Sequence, residues 1–204
     1  MDQTPASKGR SMKFNSDIDI DFADRAHILS KISHVSASII DDNTRAKHNT
    51  GIYVTDIPVD PITGTASLDY KTAEDRGYVK LDFLNVHVYN LVKNEQHLVE
   101  LLIKQPPWQK LYSKEFCEQL IHIGNHYNSL LNMPQPVDSI EKLAMFLAII
   151  RPSKRYLLGK NWNTIAAKVW EKEKDGEYQF KKSHSIAYSH LVVVHMNLLN
   201  DSTN

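Results

Sequence analysis

Ser16-Asp17-Ile18-Asp19-Ile20-Asp21-Phe22 alternates acidic and apolar side chains one for one. A period of two is the repeat of a β-strand, whose successive side chains point to opposite faces. The stretch from about Phe14 to Phe22 therefore reads as a strand with isoleucines on one face and carboxylates on the other. Carboxylates on one strand face repel one another, and the arrangement is tolerable where water screens them or cations sit between them. Taken alone, the ordinary reading of such a pattern is a solvated acidic face.

A second stretch changes that balance. In Tyr78–Leu84, Val79, Leu81 and Phe83 fall on one face and Lys80 and Asp82 on the other. On an antiparallel neighbour of the first strand, Asp82 would join Asp19 and Asp21. Two strands would then offer a cluster of hard oxygen donors, which suit magnesium.

Working outward, Asp24–Ile40 places Ala26, Leu29, Ile32, Val35 and Ile39 at helical spacing and reads as a helix. Gly51–Val54 and Thr65–Tyr70 read as strands, separated by the turn chemistry of Asp60-Pro61-Ile62-Thr63-Gly64. Helices are expected over Val86–Lys104, from Ser113 to about Leu131, and over Ser139–Ile150, Asn163–Lys174 and Ser183–Leu199. Strands thus precede helices in an α+β layout: a small mixed or antiparallel sheet, then a helical lobe. The expected division is a flexible arm over 1–13, a sheet region over 14–90 and a helical region over 91–204. Trp108, Tyr112, Phe116 and Tyr127 read either as core or as a base-stacking platform.

The chain has 204 residues, 42% hydrophobic and 24% charged, with zero formal net charge. That composition is globular, and it argues against an extended grip on duplex DNA, which needs a basic surplus. The single cysteine, Cys117, excludes an internal disulfide and a cysteine-based zinc site. No membrane span or signal core is expected, which fits a reducing cytoplasm.

Five segments resemble motifs of the C-family DNA polymerases, the bacterial DNA polymerase III alpha subunits. Asp17-Ile18-Asp19-Ile20-Asp21-Phe22 is similar to Pro-Asp-x-Asp-x-Asp-Phe, with Ser16 in place of the proline. Gly77-Tyr78-Val79-Lys80-Leu81-Asp82-Phe83-Leu84 resembles Gly-Leu-Val-Lys-Phe-Asp-Phe-Leu-Gly, with Asn85 for the last glycine. Lys47-His48-Asn49-Thr50-Gly51 resembles Lys-His-Ala-Gly-Gly, and Arg151-Pro152-Ser153-Lys154 resembles Arg-Pro-Gly-Pro. Phe180-Lys181-Lys182-Ser183-His184-Ser185-Ile186-Ala187-Tyr188 resembles Phe-Asn-Lys-Ser-His-Ser-x-Ala-Tyr. The motifs occur in the family's order, in patches from Asp17 to Leu199, with compressed spacing.

The resemblance implies a palm of the polymerase-beta-like nucleotidyltransferase type and a fingers-like helical region. Asp19, Asp21 and Asp82 would hold two Mg²⁺ ions, with Mn²⁺ as a substitute. Lys80, Arg151, Lys182, His184, Lys47 and His48 would bind the nucleotide, and Asp17, Ser183 and Tyr188 would support the site. The implied activity is transfer of a nucleotidyl group from a dNTP to a primer 3′-hydroxyl on template DNA. The setting would be the cytoplasm of a bacterial or phage-infected cell, where a sliding clamp or other replisome protein could supply grip. The family's exonuclease-like, clamp-binding and oligonucleotide-binding parts have no counterpart here, and no thumb is evident. Two other functions stay open: an inactive polymerase-like module that binds nucleotide, DNA or the replisome, and a template-independent or primase-like nucleotidyltransferase.

Overall fold

A computed structural model describes residues 18–171 and 180–202. Asp17, the arm over 1–13 and the loop around Asp175-Gly176 lie outside the described residues. The chain forms two compact units, Met1–Asn90 and Leu91–Asn204. The architecture is α+β, with a five-stranded mixed sheet followed by helices.

In the first unit, β1 (Ile18–Phe22), β2 (Val35–Asp41), β3 (Thr44–Tyr53), β4 (Thr65–Asp69) and β5 (Leu81–Asn85) form one sheet. Its strand order is β1-β5-β3-β2-β4. The expected antiparallel pairing of the two acidic strands is corrected: β1 runs parallel to β5. Parallel neighbours need a long crossover, and here residues 23–80 provide it with the rest of the sheet.

The helix expected over Asp24–Ile40 is also corrected. Only α1 (Arg25–Leu29) is helical, capped by Asp24, whose carboxylate accepts the His27 N–H at 3.1 Å. Val35–Asp41 is a strand instead. Its apolar residues satisfied a 3.6 period by coincidence, while Ser36 and Ser38 between branched residues fit a half-buried strand. Ser38 is fully buried and donates to the Leu68 carbonyl at 2.8 Å, tying β2 to β4 at an irregularity in the register. Asp42 and Asn43, at φ 44° and 62°, close the β2–β3 hairpin in the left-handed conformation that two-residue hairpin turns require. The core of this unit gathers Ala37, Tyr53, Ile57, Ala66 and Ala73. α2 (Tyr70–Asp75) lies between β4 and β5, capped by Asp69.

The expected long helix over Val86–Lys104 is a 3-10 turn at His87–Leu91, followed in the second unit by α3 (Glu95–Ile103). The helix expected from Ser113 to Leu131 is broken into α4 (Lys114–Cys117) and α5 (Tyr127–Leu131), and Ser113 makes no side-chain cap. Between them His122 takes a positive φ, and a Cβ on Gly124 would stand 2.7 Å from the Glu118 carbonyl oxygen. Only glycine leaves room for the chain to turn so close to the Glu118 carbonyl. α6 (Ile140–Ile149), capped by Ser139, α7 (Trp162–Lys168), capped by Asn161, and α8 (Lys182–Ser202) complete the unit.

Trp108 and Phe116 belong to the main apolar core, with Tyr112 and Tyr127 packed against it, so these four aromatics are core. α6 and α8 pack extensively on each other, and the buried Ser185 hydroxyl donates to the Ala144 carbonyl at 2.5 Å. Among the described residues no helix is long and apolar enough to cross a membrane.

Lys154 is only 4% exposed, and its ammonium donates to the carbonyls of Lys168 (3.1 Å), the last residue of α7, and Glu171 (2.8 Å), just past it. A cation at a helix C-terminus meets both the unpaired carbonyls and the dipole. Lys154→Met keeps the stem and removes the donors. We expect a loss of about 1–3 kcal/mol, seen as a lower melting temperature; an unchanged value would refute the capping role.

Candidate functional site

The site is a line across three strands. Asp19 on β1 is the register partner of Asp82 on β5, and Asp82 is the partner of Gly51 on β3. Register partners share a face, and strand alternation adds Asp21 and Lys80 to that face. The acidic strand and its neighbour thus bring Asp19, Asp21 and Asp82 to one side of the sheet, as expected, although by parallel pairing. Phe22 and Phe83 pack on each other, with ring centroids 4.7 Å apart.

The three acids differ in surroundings. Asp19 is exposed, Asp21 half-buried and Asp82 only 7% exposed. Burial, and then the charge of Asp19, hold the Asp21 carboxyl above its ordinary 3.8. Tyr89 is pushed up by burial and then by the charge of Asp21. Asp82 is satisfied on both oxygens: Lys80 forms an ion pair with Oδ2, and the Thr50 hydroxyl donates to Oδ1 at 2.6 Å. Among the described residues, no three His, Cys, Asp or Glu side chains are gathered closely enough to form a metal-holding group. The donor chemistry nonetheless suits magnesium: all three are hard carboxylates, and the two on β1 repel each other.

His48 folds over this face. Its Nδ1 accepts the backbone N–H of Gly51 at 2.9 Å and lies 3.8 Å from Asp82 Oδ1. An accepting Nδ1 leaves the proton of the neutral ring on Nε2. Burial, followed by the charge of Lys80, lowers the His48 pKa below 6.5, against an opposing pull from Asp82. A depressed histidine contributes stability that is present above 6.5 and is lost as pH falls through the folded value. Tyr70, at the start of α2, lies beneath both groups, its ring 5.4 Å from His48 and 5.8 Å from the Lys80 ammonium.

Gly51 makes this packing feasible. A Cβ there would come within 2.8 Å of Lys80 Cδ, 3.0 Å of His48 Nδ1 and 3.1 Å of Ala37 Cβ. The absent side chain, rather than an unusual φ, is what the position requires.

Lys47 is exposed on β3, one residue from His48. Arg151, Lys182, Ser183, His184 and Tyr188 lie in the second unit. Ser183 is exposed inside the first turn of α8, so it does not cap that helix; Ser185 is the buried serine of the motif. Arg151 lies over the Phe180 ring at 4.9 Å, and the Lys182 ammonium lies 5.9 Å from the Trp170 ring. Tyr188 stacks with Phe180 at 5.7 Å, and His184 lies 6.5 Å from Tyr188.

Sequence reasoning missed Thr50, Tyr70 and Asn85. Thr50 stands where the resemblance has glycine, and its hydroxyl serves Asp82. Asn85 likewise replaces glycine, and its side-chain oxygen accepts the Arg25 backbone N–H at 2.9 Å. Arg25 in turn donates to the Thr50 carbonyl at 3.2 Å. Tyr70 could have been suspected only from its place after β4. Comparison with protein families, curated proteins and solved structures finds no match to this chain.

A carboxyl raised in the folded state favours folding below its unfolded value and loses that contribution as pH rises through the folded value. At neutral pH the Asp21 charge is therefore a net cost. Asp21→Asn is expected to stabilise the fold at pH 7 in metal-free buffer by less than about 1 kcal/mol, as suits a screened, half-exposed group, seen as a higher melting temperature. Mg²⁺ should then stabilise the wild type more than the variant. A lower melting temperature for the variant at pH 7 would contradict this electrostatic account.

Proposed function

We propose that this chain is a small nucleotidyltransferase of the DNA polymerase type, adding a dNTP to a primer 3′-hydroxyl. The observation that carries the reading is the register of Asp19 with Asp82 on adjacent strands, with Asp21 and Lys80 on the same face. The motif resemblance supplies the polymerase identity, the palm and fingers assignments, and DNA as template. Arg151, Lys182 and His184 enter as nucleotide-binding residues through that resemblance alone.

Asp19, Asp21 and Asp82 would hold magnesium, which when bound neutralises charge on the phosphates in nucleotidyl transfer. The chain's own residues have distinct tasks. Lys80 carries the positive charge needed as negative charge builds on the departing pyrophosphate. Lys is a compact point charge, suited to a phosphate oxygen. His48, neutral and held by the Gly51 N–H, keeps Nε2–H as a donor without adding charge. Thr50 fixes the Asp82 carboxylate, so its orientation is set before a substrate arrives. Tyr70 gives Lys80 and His48 an aromatic floor. With no basic surplus over the whole chain, grip on DNA would be weak and distributive unless a clamp or other replisome protein supplies it. A cytoplasmic setting follows from the same reading.

One observation favours a second reading. Asp82 is already neutralised by Lys80 and hydrogen-bonded by Thr50, which suits an inactive module that binds nucleotide without turning it over.

Primer extension on a DNA template with Mg²⁺ and dNTPs separates the two. The wild type is expected to extend, and Asp82→Asn to lose at least about 100-fold of the rate, the scale of one electrostatic group at a phosphoryl centre. Equal rates, or nucleotide binding without pyrophosphate release by the wild type, would overturn the polymerase reading. An arm without template tests template-independent transfer.

A further inference from the structure

In the free protein the Lys80 ammonium is paired with Oδ2 of Asp82, and the Thr50 hydroxyl donates to Oδ1 at 2.6 Å. The side chain suited to phosphate therefore sits on the carboxylate suited to a cation. Both cannot do their work while the pair is closed.

Burial explains why the pair holds. Asp82 is only 7% exposed, and a buried carboxylate stripped of its charge partner is strongly disfavoured. Thr50 supplies a dipole and no charge. His48, 3.8 Å from Oδ1, is kept neutral beside Lys80 and does not replace it. Lys80 can leave Asp82 only as another positive charge arrives there.

The two partners differ in freedom. Asp82 belongs to β5 and is fixed by Thr50. Lys80 precedes the strand, and its stem crosses Gly51, where a Cβ would come within 2.8 Å of its Cδ. Its side chain is 18% exposed, so the head reaches solvent. The Tyr70 ring, 5.8 Å from the ammonium, offers a second, weaker seat. A lysine on a flexible four-carbon stem with rotatable donors can move between such seats. The carboxylate stays and the ammonium moves.

We infer that Lys80 is a latch: it holds Asp82 closed in the free protein and swings to a phosphate group only when a divalent cation takes over the carboxylate. The inference deepens the nucleotidyl-transfer reading above and rests on it for the cation and the phosphate. Coupling between two ligands is reciprocal. A phosphate that takes up the released ammonium favours the cation, and the cation frees the ammonium for the phosphate. Phosphate alone gains little, because Asp82 would be left bare. The closed pair is then a resting state rather than a sign of inactivity.

Limited acetylation of the full chain, read lysine by lysine in a mass spectrometer, tests this. In metal-free buffer Lys80 is expected to react more slowly than the exposed Lys47 and Lys71. Saturating Mg²⁺ alone should raise the Lys80 rate at least about tenfold, the scale of a mostly buried pair opening, and leave Lys47 and Lys71 unchanged. Pyrophosphate alone should change nothing, and pyrophosphate added after Mg²⁺ should protect Lys80 again. Asp82→Asn should free Lys80 without metal and abolish the Mg²⁺ response. Asp19→Asn, which leaves the buried pair untouched, should keep Lys80 protected and weaken that response. A Lys80 rate indifferent to Mg²⁺, or protection that survives Asp82→Asn, would overturn the inference. Primer extension on the same samples separates the two readings. Release by Mg²⁺ without extension would sink the polymerase activity and spare the latch; extension without release would do the reverse.

Discussion

Like charges on neighbouring strands must be compensated, and that requirement organises the first unit. Asp19 and Asp82 face each other across one strand spacing of roughly 5 Å between backbones, with Asp21 two residues along. The most buried of the three, Asp82, is the one compensated inside the protein. Lys80 arrives from the residue just before β5, and Thr50 reaches Asp82 from β3. Asp19 is exposed, while half-buried Asp21 has its carboxyl held above the ordinary range by burial and by its neighbour. The raised Asp21 carboxyl marks a place on β1 where an added cation would be favourable.

The rest of the site follows from seating Lys80. Its stem crosses the position where Gly51 has no Cβ, its ammonium meets Asp82, and Tyr70 lies below it. His48 is fixed by the Gly51 N–H and stays neutral beside that cation. His48, Thr50 and Gly51 of the Lys-His-x-x-Gly stretch thus each have a physical task. The departures from the family pattern have tasks as well: Thr50 holds Asp82, Asn85 holds the start of α1, and Lys154 caps the end of α7.

The acidic face was legible because a period of two is unambiguous when one set of residues is charged. Asp19, Asp21, Lys80 and Asp82 share a face whatever the strand direction, so the error over parallel pairing left the face intact. Direction is set by the long-range crossover, and nothing in either short strand encodes it. The β2 strand was misread because Leu29, Ile32, Val35 and Ile39 fit a helical period, while the decisive signals were the Asp42-Asn43 turn and the hydrogen bond from Ser38 to the Leu68 carbonyl. The break between α4 and α5 was hidden for a similar reason. It depends on a close approach of Gly124 to Glu118 and on the conformation of His122, both products of tertiary packing. Thr50 and Tyr70 escaped notice because their roles arise from contacts, with no spacing to announce them.

The central claim is that the three carboxylates act together as a cation-holding set, with Lys80 serving phosphate. A crystal structure with Mg²⁺ and a non-hydrolysable dNTP analogue tests it most directly. The account predicts ions held jointly by Asp19, Asp21 and Asp82, with the Lys80 ammonium on a phosphate oxygen. Asp82 still paired with Lys80 and Thr50, with no ion among the three carboxylates, would contradict it.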